Sequence, residues 1–181
     1  VLSQFIDYLK SNDLSFKDYQ GLHHWSINEI GPFWVSIATF FDIAFSKKYT
    51  FSYKPGTDFK DAKWFSGAKI SYADHVFRQS NDDFPAIKYK EELSEFQEIS
   101  WNALTQKTLE FQKILIQNNV RFGDRVVAYC SNTPEAVAAF LAVNSLGAIW
   151  SSCSPEFGLD AVLDRFDSLR PTFLFSNSAY Y

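Results

Sequence analysis

Methionine is missing from this chain, and cysteine, histidine and glycine are scarce: two, three and seven among 181 residues. Each shortage excludes something. With Val1 where an initiator Met would stand, the chain is expected to have been trimmed, processed or cut at its start. Cys130 and Cys153 with three His are too few, and too scattered, to supply a metal centre. The two thiols are expected to be buried and free in a reducing cytoplasm rather than bridged. No glycine belongs to a G-x-x-x-x-G-K-[ST] loop, a G-x-G-x-x-G turn or a G-x-S-x-G elbow, and no H-E-x-x-H occurs. Basic clusters are absent beyond Lys47-Lys48, and the net charge is −4, which argues against non-specific nucleic-acid or polybasic membrane binding. No apolar run reaches the roughly 18 residues of a membrane helix, and Asp7 and Lys10 interrupt the apolar stretch a signal peptide would need. Internal repeats and low-complexity tracts are missing too.

What the chain has in plenty is aromatic: 19 Phe, nine Tyr and five Trp. It also has, near its end, three short apolar runs at 126–130, 148–152 and 172–175. Two patterns of helical period separate them, with Ala136, Val137, Phe140, Leu141 and Leu146 on one face, then Ala161, Val162, Leu163 and Phe166. Strand, helix, strand, helix, strand follows, and strands joined by helices run parallel. Ligands of such sheets sit beyond the carboxyl ends of the strands, which singles out the loops 131–134 and 152–157.

Before this lies a helical region. Leu2, Phe5, Ile6 and Leu9 share a helix face, a polar turn follows at 11–13, and a second short helix runs through Phe16 and Tyr19. Ser26 with Glu29 has capping-box spacing. From Pro32 the residues Phe33, Trp34, Ile37, Phe40, Phe41 and Phe45 give a helix with a heavy apolar face, expected to pack onto a larger body. Residues 46–70 lose periodicity, with Phe59, Trp64 and Phe65 expected to pin them down. A helix is expected at 71–77, and a hairpin of strands 86–89 and 96–99 around the charged turn Lys90-Glu91-Glu92. Ser100 caps a helix over 101–117 with Leu104, Thr108, Phe111 and Leu115 inward, closed by Asn118-Asn119.

Thr133, Pro134 and Glu135 form an N-cap, a first helical position and a charge suited to the dipole, which explains them without a ligand. A helix starting after Ser154 would carry Gly158 inside it, at about 1 kcal/mol relative to Ala, so Gly158 is favoured over Ser154 as the cap. Glu156, Asp160 and Asp164 read as a solvated helix start, Arg165 and Arg170 as surface ion pairs with Asp164 and Asp167, and His75 as structural.

The run 120–166, with GDRV, then PEA opening a helix, then GAI closing it, resembles the early adenylation domain of the acyl-CoA synthetases, an adenylate-forming superfamily. WSSCSPEFGLDAVLDRF is similar to the members that act on acetoacetate. Trp25-Ser26, Phe33-Trp34 and 67–73 are similar to an N-terminal extension found in members acting on acetate and acetoacetate, so the resemblance spans nearly the whole chain. It implies an α/β fold: a helical extension at 1–83, then at 84–181 the first parallel βαβαβ part of an adenylation-domain sheet. It also implies ATP, Mg²⁺, CoA and acetoacetate as cofactors and substrates of a longer parent. Ser154, Pro155 and Glu156 fall where a Phe-Gly-Gly loop borders the CoA pocket in acetate-specific relatives, with Pro and Glu here in place of the two glycines. The family's Ser/Thr/Gly-rich phosphate loop ending in Pro-Lys and its C-terminal catalytic Lys have no counterpart, so no catalytic residue is assigned and the segment alone is expected to be inactive. Its last strand is expected to leave an edge or an apolar face open to pairing between chains. A sister enzyme acting on acetate or propionate, and a non-catalytic module binding a partner through its aromatic surface, remain as alternatives.

Overall fold

In the computed structural model, which describes residues 1–78, 80, 81, 83–91 and 94–177, the chain separates into two units, Val1–Ile70 and Ser71–Tyr181. Glu92 of the expected charged turn lies outside the described residues.

The first unit is held by rings. Helices α1 (Leu2–Ser11), α2 (Tyr19–Asn28) and α3 (Ile30–Phe40) close around buried Phe5, Leu9 and Leu22. Phe33, Ile37 and Phe40 of α3 pack on that cluster, so the apolar face is used within this unit, and the helix ends before Phe41 and Phe45; Phe5 meets Phe33 and Phe40 edge-on. Asp13, at a φ of 62°, turns the chain out of α1. Asp18, not Ser26, is the cap that forms: its carboxylate accepts from the Gly21 N–H, while Ser26 sits inside α2 and donates to the His23 carbonyl. The helix therefore starts well before Ser26 and runs through Trp25, whose ring meets Phe16 and Phe33.

Beyond α3, strands β1 (Tyr53–Lys54) and β2 (Lys63–Trp64) pair antiparallel. Trp64 meets Trp34 and Tyr53, and Phe65 stacks between Phe45 and Tyr49, so these two anchor the segment. Phe59 does not: it stands 96% exposed on a 3-10 turn, Phe59–Asp61.

The second unit opens with α4 (Tyr72–Phe77), capped by Ser71, then the antiparallel pair β3 (Ile87–Tyr89) and β4 (Gln97–Ile99). In α5 (Trp101–Gln117) the Ser100 cap, the inward Leu104, Thr108 and Leu115, and the left-handed Asn119 all match expectation. There follow β5 (Arg125–Tyr129), α6 (Pro134–Ser145), β6 (Ile149–Cys153), α7 (Leu159–Leu169) and β7 (Phe173–Ser176). Each strand lies within one residue of its expected bounds. The three form a parallel sheet in the order β6-β5-β7.

That order fixes where the helices go. The chain leaves β5 for β6 on one side, then passes back across β5 to reach β7, and right-handed crossovers in opposite directions put α6 and α7 on opposite faces. On the first face Val126, in register with Trp150 and Phe173, joins Leu115, Ala142 and Val143 in a buried cluster. Gly147 makes the turn from α6 to β6 at a φ of 67°, and a Cβ there would lie 2.5 Å from the Phe122 ring. On the second face α7 contributes buried Val162, while Ile149 and Leu174 stay about half exposed.

The helix faces are the main departure from expectation. Helix α6 buries Ala138, Ala139, Ala142 and Val143 in addition to Leu141, because α4 and α5 pack against it as well as the sheet. In α7 Ala161 and Leu163 are exposed.

Candidate functional site

A cleft of about 340 Å³ opens at the carboxyl ends of β5 and β6. Its position follows from topology. Adjacent strands whose outgoing loops turn to opposite faces leave a crevice between them, and β5 and β6 are such a pair. The loop after β5 brings Cys130, Ser131 and Asn132 to one side; the loop after β6 brings Ser152, Cys153 and Ser154 to the other. The first turns of α6 and the aromatic rings supply an apolar wall of Ala136, Val137, Phe140 and Trp150. The Cys130 N–H donates to the Cys153 carbonyl at 3.2 Å, carrying the strand pairing into the mouth of the cleft.

Of the three residues singled out beforehand, Ser154 lines this cleft. Pro155 is half-buried beside it and Glu156 is exposed to solvent. The loop they share is a tight turn in which the Phe157 N–H donates to the Ser154 carbonyl at 3.1 Å. The Tyr129 hydroxyl reaches over from the end of β5 to the carbonyls of Pro155 and Phe157, at 3.0 and 3.1 Å. Helix α7 then begins after Gly158, as expected, with no side-chain cap.

The start of α6, beside the cleft, was legible as a cap. Thr133 Oγ1 accepts from the Ala136 N–H at 3.4 Å, Pro134 opens α6, and Glu135 lies 3.4 Å from Lys107 Nζ. Burial pushes the Glu135 carboxyl up, but its own backbone N–H, the Thr133 hydroxyl and Lys107 together hold it below the usual carboxylate range. Burial raises the Cys130 thiol, so the thiolate is disfavoured at the cleft mouth. A smaller cavity of about 130 Å³, lined by Phe111, Ala139, Phe175 and Asn177 among others, shares Cys130 and Trp150 with the cleft.

The remaining candidates behave as surface or scaffold. Glu156, Asp160 and Asp164 are exposed. Arg165 lies over the Phe157 ring, 5.4 Å from its centroid, and Arg170 accepts from Arg125 Nε through its carbonyl; among the described residues neither arginine makes an ion pair. His75 Nδ1 lies 2.9 Å from the Ser71 carbonyl. No group of three or more His, Cys, Asp or Glu among the described residues could hold a metal ion, and no helix there is long and apolar enough to cross a membrane.

The residues 74–180, which include every strand of this sheet and both cleft loops, match the family described as AMP-binding enzyme. This chain belongs to that family. Among AMP-binding enzymes it is 35% identical over 168 residues to an acetoacetyl-CoA synthetase of Macaca fascicularis, covering 92% of this chain and 25% of the relative. To the acetoacetyl-coenzyme A synthetase of Rhizobium meliloti (strain 1021) it is 32% identical over 181 residues, 99% of this chain and 28% of that one. The solved acetoacetyl-CoA synthetase from Streptomyces lividans superposes with a TM-score of 0.86 at 35% identity, over 96% of this chain and 27% of that one. The chain thus spans about a quarter of the length of the relatives it matches. The α/β architecture, with helices preceding a parallel βαβαβ sheet, is the one these AMP-binding enzymes share in this region.

Sequence reasoning had not singled out Tyr129, Phe140 or Trp150 at the site. The carboxyl-end rule pointed to the loops, whereas these three come from a strand end, a helix and an interior strand position whose only local signal was apolarity.

Proposed function

We propose that this chain is the N-terminal portion of an acetoacetate–CoA ligase, which converts ATP, acetoacetate and CoA to AMP, diphosphate and acetoacetyl-CoA. The observation that carries the reading is the coincidence of a cleft at the strand ends with likeness to acetoacetyl-CoA synthetases over nearly the whole chain. In such a ligase ATP activates the acid as an adenylate, Mg²⁺ offsets phosphate charge and the CoA thiol takes the acyl group.

The cleft suits the pantetheine arm of CoA, a chain of alternating amide and methylene groups. Ser131, Asn132, Ser152 and Ser154 offer hydroxyl and amide groups to its amides, and Val137, Phe140 and Trp150 offer apolar surface to its methylenes. Ser154 is then a direct CoA neighbour, with Pro155 and Glu156 bordering the pocket from its rim. The catalytic groups, the ATP phosphate loop and the Mg²⁺ ligands belong, on this reading, to parts of the protein outside this segment. Residues 1–83 serve as the N-terminal extension and 84–181 as the start of the adenylation domain; the compact units divide earlier, at 70/71, because α4 packs on α6. Free thiols at Cys130 and Cys153 favour a cytoplasmic setting. By itself the segment presents β6 and β7 as sheet edges, and pairing between copies through one of them is expected.

The test is pyrophosphate release by the full-length gene product with ATP, Mg²⁺ and CoA, offered acetoacetate, acetate or propionate separately, with the 181-residue chain as control. Preference for acetoacetate and silence from the short chain are expected. Preference for acetate or propionate moves the assignment to a sister enzyme, and no release with any acid favours a binding module instead.

A further inference from the structure

We infer that Tyr129 is a positioning residue for the loop 154–157, and that its hydroxyl fixes how that loop meets the pantetheine arm of CoA; this rests on the ligase reading. Tyr129 is the last residue of β5, in register with Cys153, the last of β6. Its hydroxyl has one proton and two carbonyls within reach, those of Pro155 and Phe157, and so straps the loop to the sheet through one hydrogen bond shared between them.

The loop's N–H groups at 156 and 157 are used internally. Pro155 has no N–H to give. The Phe157 N–H goes to the Ser154 carbonyl, and the Glu156 N–H points to Ser154 Oγ at 3.5 Å. Arg165 of α7 covers the Phe157 ring from the far side. What the loop presents to the cleft is therefore the Ser154 side, opposite Ser131 and Asn132. A glycine-rich loop would meet a ligand with its backbone; this one meets it with a side chain whose location depends on the strap.

Tyr129→Phe removes the hydroxyl and keeps the ring. In the full-length enzyme it is expected to raise the KM for CoA about three- to tenfold, the loss appropriate to one shared hydrogen bond. Acetoacetate-dependent exchange of pyrophosphate into ATP, measured without CoA, is expected to stay within about twofold, which also shows that the variant folds. Pro155→Gly, which loosens the strapped loop and leaves β5 intact, is expected to shift the KM for CoA in the same direction. An unchanged KM for CoA in both variants, or an equal loss in exchange and in CoA-dependent turnover, overturns the inference alone. A wild-type enzyme that exchanges no pyrophosphate and uses no CoA overturns the ligase reading, and the inference with it.

Discussion

Helices α6 and α7 flank the same three strands and differ by one residue in length, yet α6 buries six side chains and α7 buries only Val162. Their neighbours account for the contrast. Helix α6 has the sheet beneath it and α4 and α5 around it, so even its alanines are enclosed. Helix α7 has the sheet alone, and Leu159 and Leu163 on it, like Leu174 on the strand below, remain about half exposed or more. One face of the sheet is covered by α5 and α6 and the other by α7 alone. How much of a helix is buried follows from the number of elements packed on it, not from its apolar pattern alone.

The contrast is sharpest at Leu141, which is 2% exposed: Leu141→Ala is expected to cost about 3 kcal/mol in denaturant unfolding followed by circular dichroism. A loss below about 1 kcal/mol would mean that α6 is not the enclosed element described. On α7, Val162→Ala is expected to cost about 2 kcal/mol and Leu163→Ala no more than about 0.5 kcal/mol. Equal losses at the two positions would break the comparison by showing the second face to be covered. The smallest effect is electrostatic. Because Glu135 at the start of α6 is held below its ordinary pKa, its contribution is fully present above the ordinary value of about 4.3 and fades as pH falls through the lower folded value. The difference in unfolding midpoint between the wild-type chain and Glu135→Gln is therefore expected to be small at pH 6 and to shrink as the pH falls below the ordinary carboxylate value.

How far the sequence could be read divides along similar lines. Features decided within one or two turns were legible: Ser100 and Thr133 as caps, Gly158 before α7, Asn119 after α5, and β3 to β7 to within a residue. Features decided by distant neighbours were not. Nothing local says that Phe59 projects while Phe65 stacks, or that Asp18 caps α2 in preference to Ser26. The two-residue strands β1 and β2 are too short to show alternation. At the site, the strand-end rule and the family resemblance led to Ser154, but Tyr129 acts through a hydroxyl that crosses 26 positions to Pro155, a reach no spacing announces.

The strand order also bears on how the chain folds as it is made. The central strand, β5, leaves the ribosome first of the three, and its second neighbour, β7, leaves last, more than forty residues later. Between those moments β5 can pair with β6 but keeps one side open, at a stage when nascent strand edges are prone to mispairing.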